Sequence, residues 1–220
     1  MRILAHRALL QGPDASVENT LPALAAACAE QFDVEFDVNV DAEGRLVLSH
    51  DPCPWSVDRD AATFLRRTRP QFAHALNVKD LDTLDELLAA VGAAGAADRF
   101  VLFDFELLDA PRELLAEVQR RGYRVAHRIS EHEPYTAEYA ADASVTMIWL
   151  DELEGPWVDA AVVRQLRNAG KDVLYVSPDL HRRAEGEELE RRWRELAAWD
   201  VSGICTDYPL KLRDLLPNAA

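Results

Sequence analysis

Cysteine is scarce in this chain. Its 220 residues include only Cys28, Cys53 and Cys205, an odd number with neither paired nor metal-type spacing. That excludes a disulfide framework and a cysteine-rich zinc site, and it points to reduced thiols in a cytoplasmic protein. Positive charge is also short. Against 39 Asp and Glu stand 24 Lys and Arg, for a net charge of −15. Such a balance disfavours non-specific binding to nucleic acid and leaves no basic patch for a membrane surface. No apolar run approaches the roughly 20 residues that span a bilayer. The N-terminus enters a strand-like segment at Arg2-Ile3-Leu4, with no pattern of a signal peptide. Internal repeats, low-complexity tracts and linkers are absent as well, so residues 1–220 are expected to form one domain.

What is present is alternation. Apolar runs ending in polar residues predict strands at Ile3–His6, Phe32–Val38, Phe72–Lys79, Arg99–Glu106, Arg124–Ser130, Val145–Asp151, Asp172–Ser177 and Gly203–Asp207. Between them, segments of helical period predict helices at Leu21–Glu30, Leu84–Val91, Pro111–Arg121, Tyr135–Ala141, Val158–Ala169 and Glu187–Trp199. Gly122 and Gly170 fall where helices should stop. Eight strands with helical crossovers predict an α/β protein, a closed (β/α)8 TIM barrel near the lower limit of length for that fold. One apolar run, Arg45–His50, exceeds the count. The turn residues Asp41-Ala42-Glu43-Gly44 precede it, so Leu46–His50 is expected to be the return arm of a hairpin inserted after the second strand, carrying His50 over the barrel mouth.

The strand ends concentrate polar groups: His6-Arg7, Glu35/Asp37, Asn77/Lys79, Asp104/Glu106, Arg128, Asp151, Ser177/Asp179 and Asp207. Barrel active sites lie at those ends. Glu35 and Asp37, two apart in an apolar run, point the same way on a strand. Two convergent carboxylates suit a hard cation such as Mg²⁺ or Ca²⁺. His6 and His50, titrating near neutral pH, suit proton transfer, and Arg7 suits a phosphate or carboxylate clamp.

Ala5-His6-Arg7, Glu18-Asn19-Thr20, Glu35-Phe36-Asp37, the hairpin and His50-Asp51 together resemble the glycerophosphodiester phosphodiesterase family, within the phosphatidylinositol phospholipase C-like barrel superfamily. The likeness covers residues 5–51, returns at Asn77-Val78-Lys79, lapses in the middle of the chain and resumes at Gly203-Ile204-Cys205-Thr206-Asp207-Tyr208-Pro209. It implies metal ligation by Glu35 and Asp37, a general base and acid in His6 and His50, and a phosphate contact at Lys79. The family carries Glu-x-Lys where this chain has Asn77-Val78-Lys79, so the third metal ligand is either the Asn77 amide or Asp104 on the next strand. Glu18, Asn19 and Asp207 are expected to support the site, with Asn19 or Thr20 capping the helix that starts near Leu21. Arg128, Trp149, Asp151, Asp179 and His181 lie where a divergent member would read its substrate.

The reading is metal-dependent hydrolysis of a small glycerol or sugar phosphodiester. Two alternatives stay open: a lyase of the same superfamily that releases a cyclic phosphate, and a non-catalytic barrel that binds a sugar phosphate.

Overall fold

The computed structural model describes every residue except Pro70, Phe72, Ala96, 134–141 and 218–220. Eight parallel strands form the barrel: β1 (Arg2–Ala5), β2 (Asp33–Val40), β4 (His74–Val78), β5 (Phe100–Phe103), β6 (Arg124–Ile129), β7 (Met147–Leu150), β8 (Asp172–Val176) and β9 (Gly203–Thr206). Each lies beside its neighbour in that order, and β1 pairs with both β9 and β2, which closes the ring. The ninth strand, β3 (Leu46–Leu48), runs antiparallel to β2 with Val38 opposite Leu48 and Val40 opposite Leu46. The hairpin expected after the second strand is therefore present, outside the ring.

Alternation along the strands sorts side chains into two cores. Leu4, Ala75, Val101, Ala126, Met147, Leu174 and Cys205 point inward and fill the middle of the barrel. Their neighbours point outward against α1 (Leu21–Ala29), α2 (Ala61–Arg67), α3 (Leu84–Ala93), α4 (Arg112–Arg120), α5 (Ala160–Asn168), α6 (Gly186–Ala198) and α7 (Pro209–Leu215). Phe36, Phe64 and Phe100 meet edge to face in that outer layer. The interior is tight at Gly203, where a Cβ would come within 2.9 Å of Leu174 and 3.2 Å of Leu4, so only glycine fits.

Local chemistry sets the helix ends. Thr20 Oγ1 accepts from the Ala23 amide at the start of α1, with Pro22 in its first turn, so Thr20 is the cap and Asn19 is left for another task. Asp159 accepts from the Ala161 and Val162 amides at the start of α5. Gly122 and Gly170 follow α4 and α5 with φ of 91° and 77°, as their positions in the sequence suggest.

Two features depart from expectation. The strand predicted to run to Glu106 ends at Phe103, because Asp104 turns the backbone left-handed, at φ 69°, into a single 3-10 turn at Glu106–Leu108. Helices α2 and α7 were not expected. Each has seven residues, two turns, too few for a 3.6-residue period to register. The helix predicted at Tyr135–Ala141 lies outside the described residues.

Candidate active site

Above the apolar middle layer, inward-facing positions turn polar. The mouth is a cavity of about 300 Å³ lined by His6, Arg7, Glu35, Asp37, His50, Asn77, Lys79, Asp104, Arg128, Asp151 and His181, with Phe103, Leu107, Trp149, Val176 and Leu180 as its apolar wall. The register explains the convergence. Asp37 lies opposite Asn77 and Asn77 opposite Phe103 on three neighbouring strands, and Arg128 lies opposite Trp149 on two more, so adjacent strands bring matching positions to the same mouth.

Glu35 and Asp37 are both buried. Glu35 Oε2 accepts the Arg7 amide at 3.1 Å, an amide presented by a backbone turned to φ 48° at Arg7. Burial and the neighbouring charge of Asp37 push the Glu35 carboxyl well above the usual carboxylate range. Asp37 is better compensated. Lys79 Nζ lies 2.9 Å from Oδ1, and Arg7 Nε lies 3.4 Å from Oδ2. Asn19 closes on the same residue twice, donating Nδ2 to Oδ2 at 2.8 Å and accepting the Asp37 amide at 3.1 Å. Burial opposes ionisation of Asp37, yet Lys79, Arg7 and Asn19 hold its carboxyl below the ordinary value. Glu18 binds the Arg7 guanidinium at 3.2 Å and so steadies it.

His6 leaves β1 for a short 3-10 turn, which brings its ring beside two acids. Nδ1 lies 2.7 Å from Asp207 Oδ1, and Nε2 lies 3.8 Å from Glu35 Oε2. Burial works against the imidazolium, but the Asp207 hydrogen bond and the Glu35 and Asp207 charges outweigh it and raise the His6 pKa. Asp207 is itself positioned. Its amide donates to Asp179 Oδ2 at 2.9 Å, and Thr206 Oγ1 donates to the same oxygen. Asp179, read as a substrate contact, is buried, holds the Thr206–Asp207 corner through Oδ2 and is not among the residues that line the cavity.

A second network crosses the other half of the mouth. Asn77 Nδ2 donates to Asp104 Oδ2 at 3.0 Å, and Arg128 donates to Asp104 Oδ1 at 2.5 Å and to Asp151 Oδ2. Asp151 Oδ1 accepts the Glu152 amide at 2.8 Å and pairs with His181 Nε2 at 2.7 Å. Both oxygens of Asp104 and both of Asp151 are therefore engaged by protein. Trp149 stacks on Phe103 at 4.1 Å. Phe103 escaped the sequence reading, although it follows Val101 on the inward face of its strand and alternation alone would have found it. His50 reaches the rim of the cavity, carried there by Asn39, whose Nδ2 donates to the Ser49 and His50 carbonyls. Its ring is 42% exposed and pairs with an Asp51 that is 90% exposed.

The donor set suits a hard divalent cation. Four carboxylates line the mouth (Glu35, Asp37, Asp104 and Asp151) against three permanent cations (Arg7, Lys79 and Arg128), and burial pushes the pKa of both Glu35 and Asp104 upward. Among the described residues no three His, Cys, Asp or Glu side chains converge as a metal site. With its Nδ2 donating to Asp104, Asn77 offers its Oδ1, a neutral oxygen of the kind that hard cations accept.

No family model matches the sequence, and no curated protein matches it. Solved structures do. A glycerophosphoryl diester phosphodiesterase from Parabacteroides distasonis aligns with a TM-score of 0.74 at 14% identity, over 99% of this chain and 86% of that one. A glycerophosphodiester phosphodiesterase from Agrobacterium tumefaciens gives 0.66 at 19% identity over the whole of both chains. Another from Thermotoga maritima gives 0.69 at 18% identity over 97% of each. The chain therefore has the barrel fold of glycerophosphodiester phosphodiesterases of known structure.

Proposed function

We propose that this protein is a phosphoric diester hydrolase acting on a small phosphodiester of glycerol or a sugar. The observation that carries the reading is the grouping at one end of the barrel: an imidazole held by Asp207 and facing Glu35, beside a buried acid pair flanked by Arg7 and Lys79. Barrels host many chemistries, so the fold supports this only together with that grouping. The similarity to solved phosphodiesterases points the same way.

In this reading Glu35, Asp37 and the Asn77 amide oxygen hold Mg²⁺ or Ca²⁺. Asp104 is left out because Asn77 and Arg128 occupy it. When bound, the cation supplies charge stabilisation at the phosphate oxygens. Lys79 and Arg7 orient the same anion and offset charge that builds on phosphorus. His6, its Nδ1 fixed on Asp207, presents Nε2 to take the proton of the attacking hydroxyl. The phosphorus–oxygen ester bond then breaks, and the departing oxygen takes a proton from a second imidazole, which the sequence pattern assigns to His50. Arg128, Trp149 and His181 are the candidate contacts for the alcohol. We place the protein in the cytoplasm on its three free cysteines. No helix among the described residues is long and apolar enough to cross a membrane.

The test is turnover of a panel of glycerol, sugar and aryl phosphodiesters with and without Mg²⁺ or Ca²⁺. Cation-dependent release of a monoester, reduced about 100-fold or more in His6→Ala, is expected, since general-base catalysis contributes on the order of 10²–10⁴. No turnover of any diester with either cation overturns the reading in favour of a barrel that only binds. A cyclic phosphate that accumulates as the end product would instead make the protein a lyase.

A further inference from the structure

His50 stands at the rim of the cavity with little to hold its ring. Its partner Asp51 is 90% exposed, and an ion pair of that kind fixes little. The main chain that carries the ring therefore sets its position. β3 ends at Leu48, and beyond it the Ser49 amide makes the last ladder bond, to the Asp37 carbonyl at 3.2 Å. Asn39 holds the Ser49 and His50 carbonyls from β2. From the far side Val47 pairs with Asp60, and Arg59 reaches in from the turn before α2.

Arg59 is used unusually for so acidic a chain. Its Nη1 donates to the Leu48 carbonyl at 2.9 Å and to the Asn19 carbonyl at 3.3 Å. Among the described residues it pairs with no carboxylate, although Asp58 and Asp60 flank it in sequence. A guanidinium placed for its charge would take an acid, whereas this one bridges two stretches of backbone with charge-assisted bonds. Asn19 is a firm end for that bridge. It is wholly buried and turned left-handed at φ 54°, its amide donates to the Arg7 carbonyl at 3.0 Å, and its side chain closes twice on Asp37. Its carbonyl is the group that remains, and Arg59 takes it. The arm that carries His50 is thus joined to the residue that holds Arg7 and Asp37.

We propose that Arg59 is a positioning residue of the mouth: by bridging Leu48 to Asn19 it fixes the hairpin, and His50 with it, relative to the acid pair. This rests on the phosphodiesterase reading above, in which His50 gives the departing oxygen its proton. Arg59 is not among the residues that line the cavity, so it acts on the reaction only through His50. A shift of about 1 Å in a reacting group can cost on the order of 100-fold in rate, and a three-residue ladder resists such a shift poorly. Asn19 keeps its bonds to Arg7 and Asp37 when Arg59 is removed, so the acid pair stays in place.

The experiment compares two substrates in protein supplied with Mg²⁺ or Ca²⁺: an alkyl diester such as glycerophosphoglycerol, and a nitrophenyl diester whose leaving oxygen departs without a proton. Arg59→Met keeps the stem and removes the donors. It is expected to lower kcat/KM about 10-fold or more on the alkyl diester while staying within about threefold of wild type on the nitrophenyl ester. Arg59→Lys, which keeps a charged donor, should lose less on the alkyl diester. His50→Gln should show the same split, and adding Arg59→Met to it should cost less than about threefold more, because groups that act as a unit are not additive. The rise in Tm on adding the cation should match wild type in Arg59→Met. The assignment falls if Arg59→Met slows neither ester, or slows both equally with the cation response lost, as a damaged fold or a loosened acid pair would. It also falls if His50→Gln shows no split, or if the two substitutions add in full. Wild-type protein that turns over neither ester removes the phosphodiesterase reading itself, whereas turnover without the split removes Arg59 alone.

Discussion

The most telling single residues were legible because their chemistry is unusual for their setting. Two carboxylates two apart in an apolar run have no structural reason to be there, and Glu35 and Asp37 do sit buried at the mouth. A histidine offers no such signal, because burial decides its role and burial is not written in its neighbours. His74 is the example. It carries no motif and is wholly buried on β4, packed beside Phe64 and Phe100. The Val34 amide donates to its Nδ1 at 3.0 Å, so the ring is neutral with its hydrogen on Nε2. Burial, with Arg2 nearby, pushes its pKa from the ordinary 6.5 down to about 3. The unfolded chain therefore takes up a proton that the folded one refuses. The stability is fully present above about pH 6.5 and drains away as pH falls toward the folded value, at about 1.4 kcal/mol per pH unit. Between pH 7 and about pH 5 this residue alone should remove roughly 2 kcal/mol. His74→Asn keeps an acceptor where Nδ1 lies. Urea unfolding should find that variant less stable at pH 7, through lost packing, but with a pH dependence weaker by that amount. An unchanged pH dependence would mean His74 is protonated in the fold.

At the scale of elements, periodicity served where an element was long or repeated and failed where it was short. The hairpin was readable because its turn residues are explicit and its strand broke the count of eight. Why it stays on the barrel was not readable, since that depends on Asn39 in the partner strand. Asn39 Nδ2 donates to the carbonyls of Ser49 and His50 at 2.8 and 3.0 Å, fastening the end of β3 to β2. Arg59 adds a bond to the Leu48 carbonyl at 2.9 Å from the turn preceding α2. Asn39→Ala leaves the Ser49 carbonyl buried without its partner, a loss of about 1–3 kcal/mol. The effect should be local. Hydrogen exchange should quicken at Val47, Leu48 and Ser49, while amides of β6 to β8 keep their wild-type protection. Equal acceleration across the barrel would mean that the hairpin opens only when the whole ring does.

The whole molecule was legible as a barrel because eight runs with crossovers have few other solutions. Its charge balance was legible only in total. A net charge of −15 says nothing of where the deficit of cations falls. The structure places part of it at the mouth, where four carboxylates face three permanent cations and Glu35 is pushed up in pKa, chiefly by burial. A raised carboxyl pKa means that the folded state holds its proton longer than the unfolded one. Stability is therefore lost as pH rises from the ordinary carboxylate range through the raised value. At pH 8 a bound divalent cation should restore it. At a concentration about 100 times its Kd, a ligand of the folded state adds about 2.7 kcal/mol. For a chain of this size that is a rise in Tm on the order of 5–10 °C. Glu35→Gln removes the charge that both destabilises the empty mouth and attracts the cation. It should therefore melt higher than wild type in a chelator and respond little to added Mg²⁺ or Ca²⁺. A variant that gains as much from the cation as wild type does would place the ion on the acidic outer surface. A wild type indifferent to millimolar Mg²⁺ and Ca²⁺ would mean that Arg7 and Lys79 alone balance the acid pair.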